Sequence, residues 1–108
     1  MIKPLTWLGN AKEIVSNFPG DVRTDLGHQL WLVQEGEPPA DWKPMVTVGT
    51  SVIELRLHHD KEYRVMYVAK CVEAIYVIHA FAKKTERTSP KDIKLAEQRY
   101  KELLASRK

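Results

Sequence analysis

The chain has 108 residues, 44% of them hydrophobic and 29% charged, with a formal net charge of +3. That length and composition describe one domain with one core and exclude intrinsic disorder. Cys71 has no partner for an internal disulfide, Met1 to Leu5 lacks a signal-peptide run, and no apolar stretch approaches the roughly 18 residues of a membrane span. A cytoplasmic protein without membrane contact is expected.

The charge is unevenly placed. Residues 83–108 hold nine Lys/Arg against four Asp/Glu, whereas residues 1–82 hold eight against ten. A basic C-terminal end of this kind suits a polyanionic partner such as nucleic acid.

In chain order, Leu5, Thr6 and Trp7 suit a short first strand, and Asn10 is placed to cap a helix from Ala11 to about Asn17. Pro19 and Gly20 interrupt it. A second helix follows from about Asp21 to Gln34, with Val22, Leu26, Leu30 and Val33 on one stripe and Gly36 just past its end. The two read as a helical hairpin. Pro38, Pro39 and Pro44 make residues 37–44 a loop, with Trp42 as its anchor.

Residues 52–58 alternate strictly, with Ile53, Leu55 and Leu57 on one face and Glu54, Arg56 and His58 on the other. Residues 63–70 are rich in β-branched and aromatic side chains, and residues 74–81 are almost continuously apolar, as in a central strand. Short connections make these three an antiparallel meander. Ser89 then caps a last helix, Pro90 takes its first position, Asp92 forms a near capping box, and Ile93, Ala96, Tyr100 and Leu103 share a stripe. The expected fold is α+β: an antiparallel sheet with a helical layer on one face and a C-terminal helix.

Arg56 and Arg64 fall on neighbouring strands, and Lys83 and Lys84 fall just past the third. Sheet geometry can bring these four cations to one edge. Guanidinium forks match phosphate oxygens, and ammonium groups act as point charges, so such a cluster can bind RNA and stabilise a phosphorane. Arg87 and Lys91 extend it toward the last helix. Glu54, His58, His59 and His79 are possible proton carriers; histidine's unperturbed pKa lies nearest neutrality, and His79, beside Lys83 and Lys84, is the preferred one, with a strand histidine satisfied by a backbone carbonyl as the bland alternative. Glu54 suits pairing with a neighbouring arginine better than proton transfer.

No metal or other cofactor is expected. His58, His59, Cys71 and His79 match no zinc spacing, Cys71 lacks a nucleophile constellation, and neither a phosphate-binding loop nor a dinucleotide fingerprint occurs.

The segments Trp42-Lys43-Pro44-Met45, Val52-Ile53-Glu54-Leu55-Arg56, Tyr63-Arg64-Val65-Met66-Tyr67 and Ile75 through Thr85 occur in an order that closely resembles the phage-related HigB-type branch of the RelE/ParE toxin superfamily. With the helical hairpin, the resemblance covers nearly the whole chain. It implies the toxin of a type II toxin-antitoxin pair, an endoribonuclease that cleaves messenger RNA at the ribosome. It also implies, as partner, a helix-turn-helix antitoxin encoded next to it. By the same resemblance Arg64 is the strand arginine of the Tyr-Arg-x-x-Tyr pattern and Lys84 the basic residue after the last strand; two lysine positions on the preceding strand fall at Glu54, which departs from the pattern, and at Arg56, which stays basic. A tyrosine expected near the start of the final helix has no counterpart between Thr88 and Lys94.

The implied catalytic set is Arg56, Arg64, His79 and Lys84, with Lys83, Arg87 and Lys91 binding RNA. Replacing Arg64 or Lys84 is expected to slow cleavage without changing stability. Two alternatives remain open at this point: a non-catalytic gyrase-binding toxin of the ParE type, and a phage-derived nucleic-acid-binding module without activity.

Overall fold

The computed structural model describes residues 2–83 and 87–107. Five strands and three helices follow in the order β1 (Leu5–Trp7), α1 (Ala11–Ser16), α2 (Gly20–Gln34), β2 (Trp42–Pro44), β3 (Val52–His58), β4 (Glu62–Val68), β5 (Ile75–Lys83) and α3 (Pro90–Ser106). The strands form one sheet in the order β1-β5-β4-β3-β2. The three long strands pair antiparallel as the patterning predicts, but β1 joins β5 in parallel, so the sheet is mixed rather than antiparallel.

Residues 37–44 are not wholly loop. Trp42–Pro44 pairs antiparallel with β3, and this is possible despite Pro44 because β2 is an edge strand that needs hydrogen bonds on one side only. Trp42 remains exposed and does not anchor the segment.

Both faces of the sheet are covered, where a helical layer on one face was expected. On one side, Val22, Leu26, Leu30 and Val33 of α2 pack with Leu55, Leu57, Tyr63, Val65, Tyr67 and Val77. Each such side chain contributes about 1.5–3 kcal/mol on full burial. On the other side, Ala96, Tyr100 and Leu103 of α3 pack on Val52, Met66, Val68, Ile78 and Phe81. The stripes read from the sequence are therefore the buried ones, but they serve two cores. The first two helices make their main contacts with the sheet, α1 with β5 and α2 with β3, and a helical hairpin is not seen.

One irregularity matters for the site. Met66 pairs with His79 while Tyr67 pairs with Val77, so Ile78 is an extra residue in β5. Alternation is broken there: Ile78 joins the α3 core and His79, the next residue, also bonds to α3. From the bulge onward, His79, Phe81 and Lys83 stand opposite Met66, Arg64 and Glu62.

The caps also differ from each other. Ser89 Oγ accepts from Asp92 N at 3.2 Å and starts α3 as the sequence predicts. Asn10 makes no side-chain cap for α1; its Oδ1 instead accepts from Arg99 Nη2 at 2.6 Å.

Candidate functional site

On the α3 side of the sheet, the apolar packing gives way to polar residues toward the end of β5. Strict alternation puts Glu54, Arg56 and His58 of β3 on that side, and Arg56 stands directly across from Arg64, His58 across from Glu62. The segment leading into α3 closes over them with Arg87 and Thr88. Together with Lys43, Met45 and Ile93, these residues line a cavity of about 480 Å³.

Two carboxylates organise its floor. Glu54, 1% exposed, accepts from Arg56 Nε at 3.4 Å, Arg64 Nη1 at 3.5 Å and Thr88 Oγ1 at 3.0 Å. Glu62 accepts from Arg64 Nη2 at 3.0 Å and from His58 Nδ1 at 2.8 Å. Arg64 is itself only 1% exposed, whereas the Arg56 side chain keeps 27% of its surface in solvent. Glu54 pairs with arginines as expected from the sequence. A buried carboxylate between two guanidiniums fixes both forks, and Arg56 is the one that still faces water.

Lys83 ends β5 on the same side, opposite Glu62 in register. Burial, and after it the charge of Arg64, pushes its ammonium below the ordinary lysine value. The neutral amine is thereby more available than on a surface lysine. His58 shifts the other way: hydrogen bonds to Asp41 and then Glu62 raise it above the ordinary histidine value.

His79 lies elsewhere. It is 2% exposed and, among the described residues, is not part of the cavity lining. Arg99 Nη1 donates to its Nδ1 at 3.3 Å, so the proton sits on Nε2 and is donated to Asp92 Oδ1 at 2.7 Å. The ring stacks on Phe81 with centroids 5.3 Å apart. Desolvation lowers its pKa, which agrees with a neutral ring. Its partners are side chains of α3, not the backbone carbonyl of the bland alternative.

The structure thus brings together Arg56, Arg64, Lys83 and Arg87 and separates His79 from them. Lys91 is exposed on the first turn of α3. Lys84 lies outside the described residues. Sequence reasoning missed Lys43, Glu62, Thr88 and Asp41. Glu62 was accessible, since it shares alternation with Arg64; Lys43 required reading Pro44 as an edge-strand residue.

Among the described residues, no group of three or more His, Cys, Asp or Glu side chains is placed to hold a metal ion. No helix among them is long and apolar enough to cross a membrane.

A family model described as "Phage derived protein Gp49-like (DUF891)" matches residues 13–101. No curated protein matches the sequence.

Proposed function

The chain belongs to the phage-derived Gp49-like family, and on that footing we propose that it is the HigB-type toxin of a type II toxin-antitoxin pair, an endoribonuclease that cuts messenger RNA at the ribosome. The observation that carries this reading is the solvent-open cavity lined by Lys43, Arg56, Arg64 and Arg87, with Lys83 beside it. RNA cleavage through the ribose 2′-hydroxyl demands little covalent chemistry of a protein. It needs the nucleotide held in line, negative charge stabilised on phosphorus, one proton accepted and one donated.

In this reading Arg56 and Arg64 bind the scissile phosphate, and Lys43 and Arg87 hold the flanking backbone. Lys83 takes the 2′-hydroxyl proton in its amine form, which burial and Arg64 favour. His79 acts on the fold, by fixing α3 to β5. The exposed cations also offer an antitoxin an electrostatic target, and the partner in this reading is a helix-turn-helix protein encoded next to the toxin.

Induced expression followed by primer extension on cellular messages tests the reading. Cleavage at discrete positions and a halt in translation within minutes are expected. Arg56→Ala should lower cleavage about 10²–10³-fold, as loss of a charge-stabilising donor does. Lys101→Ala, on the exposed part of α3, should not. Intact messages together with a DNA-damage response would replace this reading with gyrase poisoning, and no toxicity at all would leave a binding module.

A further inference from the structure

His58 ends β3 at the cavity wall with its ring held between carboxylates from two different segments. Nδ1 donates to Glu62 Oε2 of β4 at 2.8 Å, and Nε2 donates to Asp41 Oδ2, just ahead of β2. Since neither carboxylate has a proton to give when ionised, this pairing requires both ring nitrogens to be protonated. The ring is an imidazolium, and half of it, 52%, faces solvent.

The arrangement is also tied to the phosphate-binding arginines. Glu62 carries His58 on one oxygen and Arg64 on the other. Among the described residues, the other charged groups that line the cavity are Lys43 from β2, Glu54 and Arg56 from β3, and Arg87 from the segment before α3, with Lys83 of β5 beside them. A ligand phosphate held by the arginines would therefore bring its neighbouring oxygens within the same cavity wall as an imidazolium with a proton to lose.

We propose that His58 is the proton donor to the leaving 5′-oxygen of the cleaved phosphodiester, and that Asp41 is its positioning residue. This rests on the ribonuclease reading above. In the step, the 2′-oxygen forms a new bond to phosphorus and its proton passes to the Lys83 amine. The bond from phosphorus to the 5′-oxygen breaks, its electron pair goes to that oxygen, and the oxygen takes the Nδ1 proton of His58, which leaves Glu62 Oε2 for it while Nε2 stays on Asp41. A 2′,3′-cyclic phosphate and a 5′-hydroxyl result, and exchange with water returns Lys83 and His58 to their starting states.

The test uses a message placed on purified ribosomes, with a sulfur replacing the bridging 5′-oxygen at the mapped cleavage position. A thiolate leaves without protonation, so a missing proton donor should matter only for the oxygen substrate. His58→Gln is expected to slow cleavage of the oxygen message about 10²-fold or more and to cleave the sulfur message at close to the wild-type rate. Asp41→Asn should move the alkaline fall of the oxygen reaction to lower pH, because a weaker acceptor holds the imidazolium less well.

Equal slowing of both messages by His58→Gln would overturn proton donation in favour of a structural role. A rate unchanged on both would overturn any role, while wild-type cleavage and sensitivity to Arg56→Ala would leave the ribonuclease reading standing. If wild-type protein cleaves neither message, both fall together. His58 is half exposed, so its ion pairs are worth little, and thermal melts of the variant should show a folded protein with only a small loss of stability at neutral pH.

Discussion

Arg56 and Arg64 face each other across two strands, yet they differ in what their removal would do. Arg64 is 1% exposed and joined to both Glu54 and Glu62. Taking it away leaves the buried Glu54 carboxylate short of a countercharge, a loss on the order of 3–5 kcal/mol. Arg64→Ala should thus melt well below wild type as well as lose cleavage, contrary to the expectation from the sequence that stability would be unaffected. Arg56→Ala is the cleaner probe: its side chain is partly in water, and Glu54 keeps Arg64 and Thr88. Differential scanning calorimetry on the two variants should separate them, and equal melting temperatures would contradict the burial argument.

At the scale of elements, α3 is held to the sheet by a polar clasp at its middle as well as by its apolar stripe. Arg99 donates to the Ile78 carbonyl at 2.9 Å, to His79 Nδ1 and to Asn10 Oδ1. Asp92 accepts from His79 on one oxygen and from the Ser89 hydroxyl on the other, so the helix cap and the clasp share a carboxylate. Arg99 is thereby a tie between α3, β5 and the start of α1.

The clasp depends on Gly9, whose φ is +56° and whose missing Cβ would come within 2.5 Å of Arg99 Cζ. Gly9→Ala should destabilise the protein by about 1–3 kcal/mol from backbone strain alone, with displacement of Arg99 added. Gly27→Ala provides the contrast. Nothing lies within 4 Å of a Cβ there, and alanine in the α2 interior gains about 0.8–1 kcal/mol of helix propensity. Thermal melts should therefore move in opposite directions, and a neutral Gly9→Ala would mean that the clasp is dispensable.

For the whole molecule, the two perturbed histidines make stability depend on pH with opposite signs. Burial lowers the folded pKa of His79, so the unfolded chain takes up its proton first as the medium acidifies. The stability from this group is fully present above the ordinary histidine value of about 6.5 and is lost as pH falls from there through the lowered folded value. His58 has a raised folded pKa, so its contribution is present at low pH and lost as pH rises through that raised value. In His58→Gln only the first effect remains. Its melting temperature should fall on going from about pH 7 to about pH 5.5, spanning the ordinary histidine value. Adding His79→Gln should flatten the curve, and a slope unchanged by that second substitution would rule out the buried neutral ring as its source.

Local regularities were legible in the sequence because each depends on near neighbours. The α2 stripe from Val22 to Val33, the Ser89-Pro90 start of α3 and the alternation of β3 follow from periodicity and capping. The positions of Arg56 and Arg64 on one face were equally readable. Three features depended on contacts between distant segments. Pro44 could enter a strand only because β2 has a free outer edge, and β1 could be parallel only because it returns alongside β5. The extra residue Ile78 put His79 beneath α3 and aligned Lys83 with Glu62 and Arg64, and a run of apolar residues carries no mark of where one of them is left unpaired. So the sequence by itself determined which residues are helical, extended and cationic. Alternation in β3 already set His58 on the face of Arg56, whereas tertiary structure alone decided that His79 lies under α3, because the facing of a strand after a bulge is set by its partner strands and not by its own pattern.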